Sequence, residues 1–446
     1  MHATPFYYRL AMSLLKPLYQ LKLASKKTLP NESNQRFAVA YPAVHTTKPI
    51  IWCHAVSLGE TNTVAPILRG LLAEGYALWM TSTTHTGYQR VAQLFADEIA
   101  AGDLYHSFVP VDSGSVVDRF LDHVGPIAAL FVETELWGTT LAALNKRQIA
   151  TIVVNGRLSD KSFRGYQKAS KLSQSMMQNL SLIIAQDGDS AKRFRQLGAT
   201  SDKIRIARSL KWSSKTNPLM LSRAHRLQTA WRLAPRSVIL AASTHEGEER
   251  LILDDFLTLK TQFANRNPLL IIVPRHPERF DAVAALIQSK NLSVIRRSQE
   301  GQPSLKDSVY LADSMGELGV WYALADIAIV GGSLVNIGGH NPIEAAIVGK
   351  PIIMGQYTQS CEQIVSQLAA VGALCQVTSA QALHQQLATW LSNPKQASTA
   401  GQAGQVLAEQ YQDATQQQLA MILECLAQNQ ARQIQKQINR IDKRPI

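Results

Sequence analysis

The fold is decided by residues 327–346, which read IAIVGGSLVNIGGHNPIEAA. The apolar run from Ile327 to Val330 predicts a buried strand, and four glycines follow it between positions 331 and 339. Asn341 then fits a helix N-cap, with Pro342 at N1 and Glu344 at N3. A glycine loop and a helix N-terminus together favour a phosphate ligand, because backbone N–H groups can approach an anion closely there. The alternative is a tight turn with an Asn341/Glu344 capping box, in which Glu344 could still meet a ribose hydroxyl.

The length and composition of the chain indicate a folded protein with more than one domain. It has 446 residues, of which 46% are hydrophobic and 17% charged, and one ordinary core rarely serves so long a chain. The formal net charge of +12 predicts an acidic partner, which leaves nucleic acid, an anionic membrane surface and a phosphorylated substrate open. The four cysteines have neither CxxC nor metal-ligand spacing, which favours a reducing, cytoplasmic compartment.

Residues 1–30 combine apolar and basic side chains without any Asp or Glu. Charge and Pro17 interrupt the apolar stretch from Phe6 to Leu23, which therefore falls short of the ~20 apolar residues of a membrane span. We predict instead a membrane-associated anchor helix that lies on an anionic leaflet. An amphipathic helix packed on its own domain is the alternative. The basic side chains near the end of this segment are Lys22, Lys26 and Lys27.

From residue 49 onward, short apolar runs alternate with helix-like segments, which predicts parallel strands joined by helical crossovers. A polar stretch near residues 211–221 separates two such series. We therefore predict an α/β protein with two doubly wound domains, over 31–215 and 216–404, followed by a helical tail over 405–446. The predicted strands span residues 50–56, 77–82, 104–109, 127–132, 151–154 and 182–185, then 238–242, 269–273, 292–295, 309–311, 327–330 and 351–354.

Polar residues follow several of these runs directly. In open α/β sheets ligands bind beyond the carboxyl ends of the strands, so we expect the functional side chains in these segments. They are His54–Glu60, Glu133–Trp137 and Asn155–Ser159 in the first series, and Ser243–Glu249, Pro274–Arg279, Asp313–Leu318 and the glycine loop in the second.

The order and spacing of these motifs, from about Ile50 to Gly355, resemble the 3-deoxy-D-manno-oct-2-ulosonic acid (Kdo) transferases, glycosyltransferase family 30. The resemblance implies two facing Rossmann-like domains of the glycosyltransferase-B architecture. It implies that the second domain holds cytidine monophosphate-activated Kdo (CMP-Kdo) as donor, and that the acceptor is the lipid A precursor, lipid IVA. The reaction would then be a direct displacement with a glutamate general base. It would serve lipopolysaccharide core biosynthesis at the cytoplasmic face of a bacterial inner membrane.

The resemblance places the general base of the family on Glu60, which follows the first strand and Gly59. Transfer to a sugar hydroxyl needs such a base, and it needs cations or dipoles that hold the departing phosphate. The alternative is that Ser57 and Glu60 form only a capping box. The resemblance also assigns Glu133 and Lys211 to transition-state stabilisation. Their structural alternatives are a buried carboxylate and a solvated linker charge.

On the donor side, the resemblance assigns the CMP moiety to three segments of the second domain. A guanidinium such as that of Arg275 can grip a phosphate with paired N–H groups, although this segment alone is more typical of a surface turn. His245 and His276 lack metal-ligand spacing, so we expect no protein-bound metal and no cofactor, CMP-Kdo being a substrate. The implied CMP contacts are Pro274, Arg275, Met315, Gly316, Glu317, Asn341, Pro342, Ile343 and Glu344.

Other functions fit the sequence less well. Residues 55–59 resemble a nucleophile elbow, which would make Ser57 the nucleophile of a serine hydrolase, but Ser57 ends the first strand of a two-domain chain. A nucleic-acid binder would use the positive charge, but the sequence shows neither an aromatic and basic stripe nor a helix-turn-helix signal. A different nucleotide-sugar transferase or epimerase of the same architecture is the closer alternative. The motifs leave the number of Kdo units and the oligomeric state open.

Overall fold

The computed structural model describes residues 4–25, 28–213, 217–233 and 236–441. The chain forms two compact units, Met1–Ser213 with Asp413–Ile446, and Ser214–Gln412. Each unit contains one parallel sheet connected through helices, which confirms the prediction of two α/β domains. Lys26 and Lys27 of the predicted anchor lie outside the described residues.

The first sheet contains seven parallel strands. They are β1 (Ile50–His54), β2 (Ala77–Ser82), β3 (Leu104–Phe108), β4 (Ala128–Val132), β5 (Ala150–Gly156), β6 (Leu182–Ala185) and β7 (Ile204–Ile206). Their order is β3-β2-β1-β4-β5-β6-β7, so the chain reverses its direction of winding between β1 and β4. Six strands coincide with predicted apolar runs, because a strand covered by helices on both sides is apolar throughout. The edge strand β7 is short and mostly exposed, and the prediction missed it.

Helices cover both faces of the first sheet. Trp52 and Phe131 point into one apolar core, while their neighbours Cys53 and Leu130 point into the other. The helices are α1 (Phe6–Ala24), α2 (Glu32–Arg36), α3 (Leu58–Ala73), α4 (His85–Leu94), α5 (Ala96–Ala100), α6 (Gly114–Val124), α7 (Gly138–Lys146), α8 (Asp160–Lys168), α9 (Ser170–Asn179) and α10 (Gly188–Gln196).

Helix α1 packs against the rest of the first unit along one of its sides. The Tyr8 hydroxyl donates a hydrogen bond to Asp112 at 2.7 Å, and Leu23 is buried near the other end of the helix. On the outer side Phe6 and Leu14 are 73% and 64% exposed. The outer side of α1 therefore presents the predicted apolar surface. The inner side packs on its own domain, as in the alternative. Within the described ranges, every helix is too short or too polar to cross a bilayer.

The second sheet repeats this design in the other unit. Its strands are β8 (Val238–Thr244), β9 (Leu269–Pro274), β10 (Val294–Arg296), β11 (Val309–Leu311), β12 (Ile327–Val330), β13 (Ile352–Met354) and β14 (Leu374–Gln376). All pairs are parallel, in the order β10-β11-β9-β8-β12-β13-β14, and the winding reverses between β8 and β12. The edge strand β14 was not predicted. The helices are α11 (Pro218–Ala230), α12 (Glu248–Gln262), α13 (Phe280–Ser289), α14 (Leu318–Leu324), α15 (Ile343–Ile347), α16 (Glu362–Ala370), α17 (Ala380–Ser392) and α18 (Pro394–Gln410).

The last helix, α19 (Ala414–Ile441), returns to the first unit. Its Ile422 and Leu426 are buried in the first-unit core that contains Cys53. Gln418 is fully buried, and its side chain accepts a hydrogen bond from the Asn155 N–H at 3.0 Å and donates one to the Arg208 carbonyl at 2.9 Å. The residues predicted as a helical tail thus divide between the units, and α19 braces the segment that precedes Lys211.

Candidate active site

The first sheet has a crevice where its winding reverses. Strands β1 and β4 are neighbours there, and their connecting helices leave in opposite directions, which makes this the usual ligand position of a doubly wound sheet. The segment Ser57–Glu60 follows β1, and Glu133 follows β4 directly. The fold therefore brings two of the predicted catalytic residues to one place.

Glu60 lies in the first turn of α3, where it both caps the helix and retains the chemistry of a base. Its N–H donates to the Ser57 hydroxyl at 3.4 Å, and its carboxylate accepts the Val56 N–H at 2.7 Å. Burial of the carboxyl, together with the negative charges of Glu133 and Glu135, raises the pKa of Glu60 to about 7 despite the hydrogen bond from Val56. A carboxyl with this pKa accepts and releases a proton near neutrality. The capping role and the catalytic role are thus compatible.

Glu133 and Lys211 form an ion pair beside Glu60. Their Oε1 and Nζ atoms are 3.1 Å apart, and the side chains are 24% and 27% exposed. An ion pair with this much solvent access contributes only about 0–1 kcal/mol to stability, so its value lies in orienting the ammonium group. The alternative of a solvated linker charge at Lys211 is wrong, because the residue lies in a helical turn, Leu210–Ser213, and is paired.

Hydrogen bonds fix the backbone on both sides of this ion pair, and Glu133 has an unusual conformation. Glu133 has φ +59°, which costs roughly 1 kcal/mol for a residue with a side chain, and its N–H donates to the Val154 carbonyl at 3.0 Å. On the other side, the Leu210 N–H donates to the Asn155 side chain at 2.9 Å. Asn155 is in turn bound to Gln418 of α19. These contacts fix the two chain segments that carry the carboxylate and the ammonium.

Glu135 and His54 are site residues to which the sequence analysis gave no role. Burial raises the pKa of Glu135 and lowers the pKa of His54 to about 3, so the imidazole is neutral at physiological pH. The His54 Nδ1 atom lies 2.9 Å from the Thr81 hydroxyl, and the ring centroid is 4.6 Å from that of Trp137. The sequence signal that could have identified them is their position, because His54 ends β1 and Glu135 lies three residues after β4.

Ser57 does not have the geometry of a hydrolase nucleophile. Its φ of −129° and ψ of 168° are relaxed extended values, whereas a nucleophile elbow is a strained turn. Its hydroxyl interacts with Glu60, and no histidine in the described chain is hydrogen-bonded to it. Ser57 is therefore the N-cap residue of α3.

The second sheet has its crevice between β8 and β12. The three segments that resemble the CMP site follow β9, β11 and β12, so they meet at one edge of this sheet. Pro274 ends β9 in a buried position, and Arg275 next to it is exposed. The guanidinium of Arg275 is therefore accessible to a ligand at the edge where the resemblance expects the donor.

The glycine loop after β12 is held by a buried carboxylate that the sequence analysis did not assign. Glu248 is fully buried and accepts the N–H groups of Gly332, Ser333 and Leu334 at 2.8, 3.0 and 2.9 Å. The prediction that this loop offers its N–H groups to a phosphate is wrong for these three donors. At Gly331 a Cβ atom would lie 2.4 Å from the Ser243 carbonyl oxygen, so glycine here permits close backbone packing.

The helix after the glycine loop begins one residue later than predicted. Helix α15 has five residues, and Pro342 rather than Asn341 precedes its first residue. The Asn341 side chain accepts the Ile343 N–H at 3.1 Å. The predicted capping box does not form, because no hydrogen bond joins the Glu344 carboxylate to the Asn341 N–H in the described chain. Glu344 keeps some exposed surface, but burial of its carboxyl group raises the pKa of Glu344.

Met315, Gly316 and Glu317 form the turn before α14. Met315 is 58% exposed, and Gly316 has φ +80°, a conformation that favours glycine. Glu317 pairs with Arg297 at 3.0 Å and with Arg223 at 2.5 Å. Burial acts to raise its pKa, but the hydrogen bonds from Arg297 and Ser314 leave the pKa of Glu317 lowered. Its carboxylate is committed to these cations, which leaves mainly the backbone of the turn for a ligand.

Three histidines meet beside Arg275, which the sequence spacing did not reveal. The Nε2 atoms of His245 and His340 are 2.7 Å apart in nearly parallel rings, and the ring of His276 stands edge-on to that of His245. Burial and the nearby positive groups lower the pKa of His340 to about 4, so its ring is neutral near pH 7. In the close pair, one Nε2–H group donates a hydrogen bond to the Nε2 atom of the other ring. Within the described residues, no cluster of three or more His, Cys, Asp or Glu side chains could hold a metal ion.

Comparison with known proteins adds family information to this geometry. Residues 31–214 match the family described as 3-deoxy-D-manno-octulosonic-acid transferase (kdotransferase), and residues 290–406 match glycosyl transferases group 1. The chain is 36% identical to the 3-deoxy-D-manno-octulosonic acid transferase of Haemophilus influenzae, over 85% of this chain and 88% of that protein. It is 34% identical to the protein of that name from Bordetella pertussis, over 74% of this chain and 77% of that protein.

Among solved structures, the chain resembles a glycosyltransferase from Rickettsia africae with a TM-score of 0.57 and 14% identity. The match covers 86% of this chain and 99% of that one. At such low identity the likeness concerns the fold alone. It is consistent with two α/β domains of the glycosyltransferase-B type.

Proposed function

The chain belongs to the 3-deoxy-D-manno-octulosonic acid transferase family and is a glycosyltransferase, and from that premise we propose that it transfers Kdo from CMP-Kdo to lipid IVA. The reaction is a direct displacement. The acceptor hydroxyl oxygen bonds to the anomeric carbon of Kdo, the bond from that carbon to the phosphate oxygen breaks, and its electron pair leaves with CMP. Glu60 takes the proton of the hydroxyl. This step would contribute to lipopolysaccharide core biosynthesis.

One observation carries the assignment of Glu60, namely a carboxyl with a pKa near 7 at the crevice of the first sheet. A base is most effective when its pKa lies near the working pH, because it is then ionised and still takes a proton strongly. An ordinary glutamate with a pKa of about 4.3 would be a weaker base by more than two units. Burial beside Glu133 and Glu135 supplies this difference.

We assign Glu133 and Lys211 to stabilisation of the transition state. Negative charge develops on the departing phosphate, and a cation fixed in position beforehand stabilises it without reorganisation. The ion pair at 3.1 Å orients the Lys211 ammonium, and the Lys211 side chain is 27% exposed to solvent. Glu133 therefore acts through Lys211 as well as through its effect on the pKa of Glu60.

For the donor, we propose that the CMP moiety binds at the carboxyl edge of the second sheet. Arg275 is exposed there and would grip the phosphate with paired N–H groups. Pro274 and the turn Met315–Glu317 would contact the nucleotide, largely through the backbone. Asn341, Pro342, Ile343 and Glu344 complete this edge, where the Glu344 carboxyl group, whose pKa is raised by burial, would meet a ribose hydroxyl. CMP-Kdo is the substrate, and we expect neither a bound metal nor a cofactor.

We further propose that the enzyme works at the anionic cytoplasmic face of a bacterial inner membrane. The support is α1, whose outer apolar side chains are exposed, and the basic residues beside them. The lipid acceptor remains in the bilayer, so the enzyme must come to it. We propose that the net positive charge of the chain favours binding to the anionic membrane surface, and we propose no nucleic-acid partner.

The membrane assignment predicts a specific loss on truncation. A protein lacking residues 1–25 should bind CMP normally and lose affinity for vesicles that contain anionic lipid, which a sedimentation assay measures. Salt should weaken binding of the full-length protein, because lysine charges act over roughly 8 Å at physiological ionic strength. Equal vesicle binding by both proteins would contradict the anchor.

The transfer itself is tested by mass spectrometry of the products formed from purified enzyme, lipid IVA and freshly made CMP-Kdo. We expect release of CMP and a lipid product heavier by one or more Kdo units. Turnover with a uridine-activated sugar in place of CMP-Kdo, or no lipid product, would refute the proposal and favour another nucleotide-sugar enzyme.

A further inference from the structure

A groove of about 520 Å³ lies in the first unit between α1 and the body of the protein. Its size falls within the roughly 300–1,000 Å³ of ligand pockets. Met12 and Leu15 of α1 form one wall, and Val109, Val111 and Trp137 form the other. Most of the residues that line the groove are therefore apolar or aromatic.

The groove exists because α1 is attached mainly near its ends. The Thr4 hydroxyl donates to the Gly138 carbonyl at 2.9 Å, and Tyr8 is bonded to Asp112. Toward the other end, Leu23 is buried and the ring of Tyr19 lies 6.2 Å from that of Phe37. The turns between these attachments stand away from the body.

The polar residues of the groove differ between its two walls. Lys16 and Lys22 lie at its α1 side, and neither has an ion-pair partner within the described residues. At the inner side are Glu135 and Trp137. Trp137 packs on His54 at the end of β1, and Glu135 is close enough to Glu60 for its charge to raise the pKa of that carboxyl. The inner wall of the groove thus includes a residue whose charge acts on the proposed base.

We propose that this groove binds one acyl chain of the lipid acceptor and so guides the acceptor hydroxyl toward Glu60. The inference rests on the proposed function, because it takes the acceptor to be acylated. Three features favour a lipid chain over other occupants. Most of the lining is apolar, and its basic residues suit the phosphate of a lipid head group. The outer face of α1, with Phe6 and Leu21 73% and 69% exposed, suits a bilayer surface.

The first test changes the width of the groove. Met12→Trp adds bulk inside it, and Gln20→Trp adds a tryptophan at an exposed position of α1 that does not line the groove. The measured quantity is the ratio of kcat/KM for lipid IVA in detergent to kcat/KM for the same disaccharide phosphate without acyl chains. We expect this ratio to fall at least tenfold in Met12→Trp and to stay at the wild-type value in Gln20→Trp. An unchanged ratio in Met12→Trp, or an equal fall in both variants, would overturn the proposal.

The second test needs no transfer reaction. Brominated fatty acids of increasing chain length should quench the fluorescence of Trp137, with the quenching lost in Trp137→Phe. Affinity should rise roughly fourfold per buried methylene and then level off when the groove is full. Quenching that persists in Trp137→Phe, affinity that rises without a plateau, or a second protein copy that excludes the probe would each contradict an acyl site.

The two tests separate this proposal from the proposed function. Quenching with a plateau but no Kdo transfer would leave the groove as an acyl site and refute the acceptor. Transfer to lipid IVA with neither quenching nor a change in the ratio would keep the function and remove the groove from it.

Discussion

The two units have the same fold, but they use the glutamate after their first strand in opposite ways. Glu60 follows β1 and Glu248 follows β8, and each strand borders the crevice of its sheet. Glu60 accepts one backbone N–H and lies near two other carboxyl groups, which leaves it with a pKa near 7. Glu248 accepts four backbone N–H groups, those of His245, Gly332, Ser333 and Leu334.

This difference shows how one architecture can serve two tasks. A carboxyl with few partners can exchange a proton, which is the role that we propose for Glu60 in the first unit. A carboxylate whose oxygens accept several N–H groups fixes a loop, and in the second unit this loop lies at the edge where we propose that CMP binds. Other acidic residues at the second edge follow the same rule, since Glu249 is paired with Arg279 at 2.7 Å and Asp313 with Arg296 at 2.7 Å.

The largest expected effect is loss of turnover in Glu60→Gln. The amide can still accept the Val56 N–H but cannot take a proton, so kcat should fall roughly 10²–10⁴-fold. The control is Glu74→Gln, an exposed residue at the other end of α3 that should behave as wild type. CMP binding should be unchanged in both variants.

The same variant has a distinct stability signature. Because the folded pKa of Glu60 lies above its ordinary value, stability is greatest while the group is protonated and falls as the pH rises from about 4.5 through about 7. Glu60→Gln removes this loss, so its thermal unfolding should not be lowered at pH 8. A Tm at pH 8 well below wild type would mean that Glu60 is chiefly a cap.

The next effect tests the other side of the comparison. Glu248→Gln replaces a buried carboxylate by an amide whose NH₂ group faces N–H donors, and we expect the free energy of unfolding to fall by about 2–4 kcal/mol. CMP affinity should fall as well, because the glycine loop loses its anchor. The exposed neighbour Glu246, changed to Gln, is the control and should unfold like wild type in a urea titration. Wild-type stability of Glu248→Gln would contradict the structural role.

A smaller effect is expected for Arg275→Ala. Loss of a charge-assisted contact to phosphate should raise the Kd for CMP roughly tenfold to hundredfold, with little change in stability because the side chain is exposed. The exposed Arg226→Ala on α11 controls for net charge. Isothermal titration gives both values, and an unchanged Kd for Arg275→Ala would move the donor phosphate elsewhere.

The sequence predicted the strands correctly where the local hydrophobic pattern matches the burial of the strand in the fold. Interior strands such as β1 and β12 are almost entirely apolar runs, so their burial could be predicted from the sequence. The edge strands β7 and β14 are three residues each and partly exposed, and their pattern does not differ from that of a loop.

Long-range contacts at the sites could not be predicted in this way. The loop anchor Glu248 and the brace Gln418 bind backbone groups 84 and 263 residues away in the chain. A single sequence carries no record of such pairings. The start of α15 was misplaced by one residue, because Asn341 caps through Ile343 without being the N-cap itself.

The central claim is that neighbouring carboxylates and burial make Glu60 a base with a pKa near neutrality. The measurement is the pH dependence of kcat/KM in wild type and Glu133→Gln, because this quantity reports the free enzyme. We predict that wild-type kcat/KM rises with pH to a plateau through an apparent pKa of about 7. In Glu133→Gln the rise should shift to lower pH, because a negative neighbour is lost and Lys211 loses its partner. A rise centred near 4.5 in wild type, or the same midpoint in both proteins, would contradict the account.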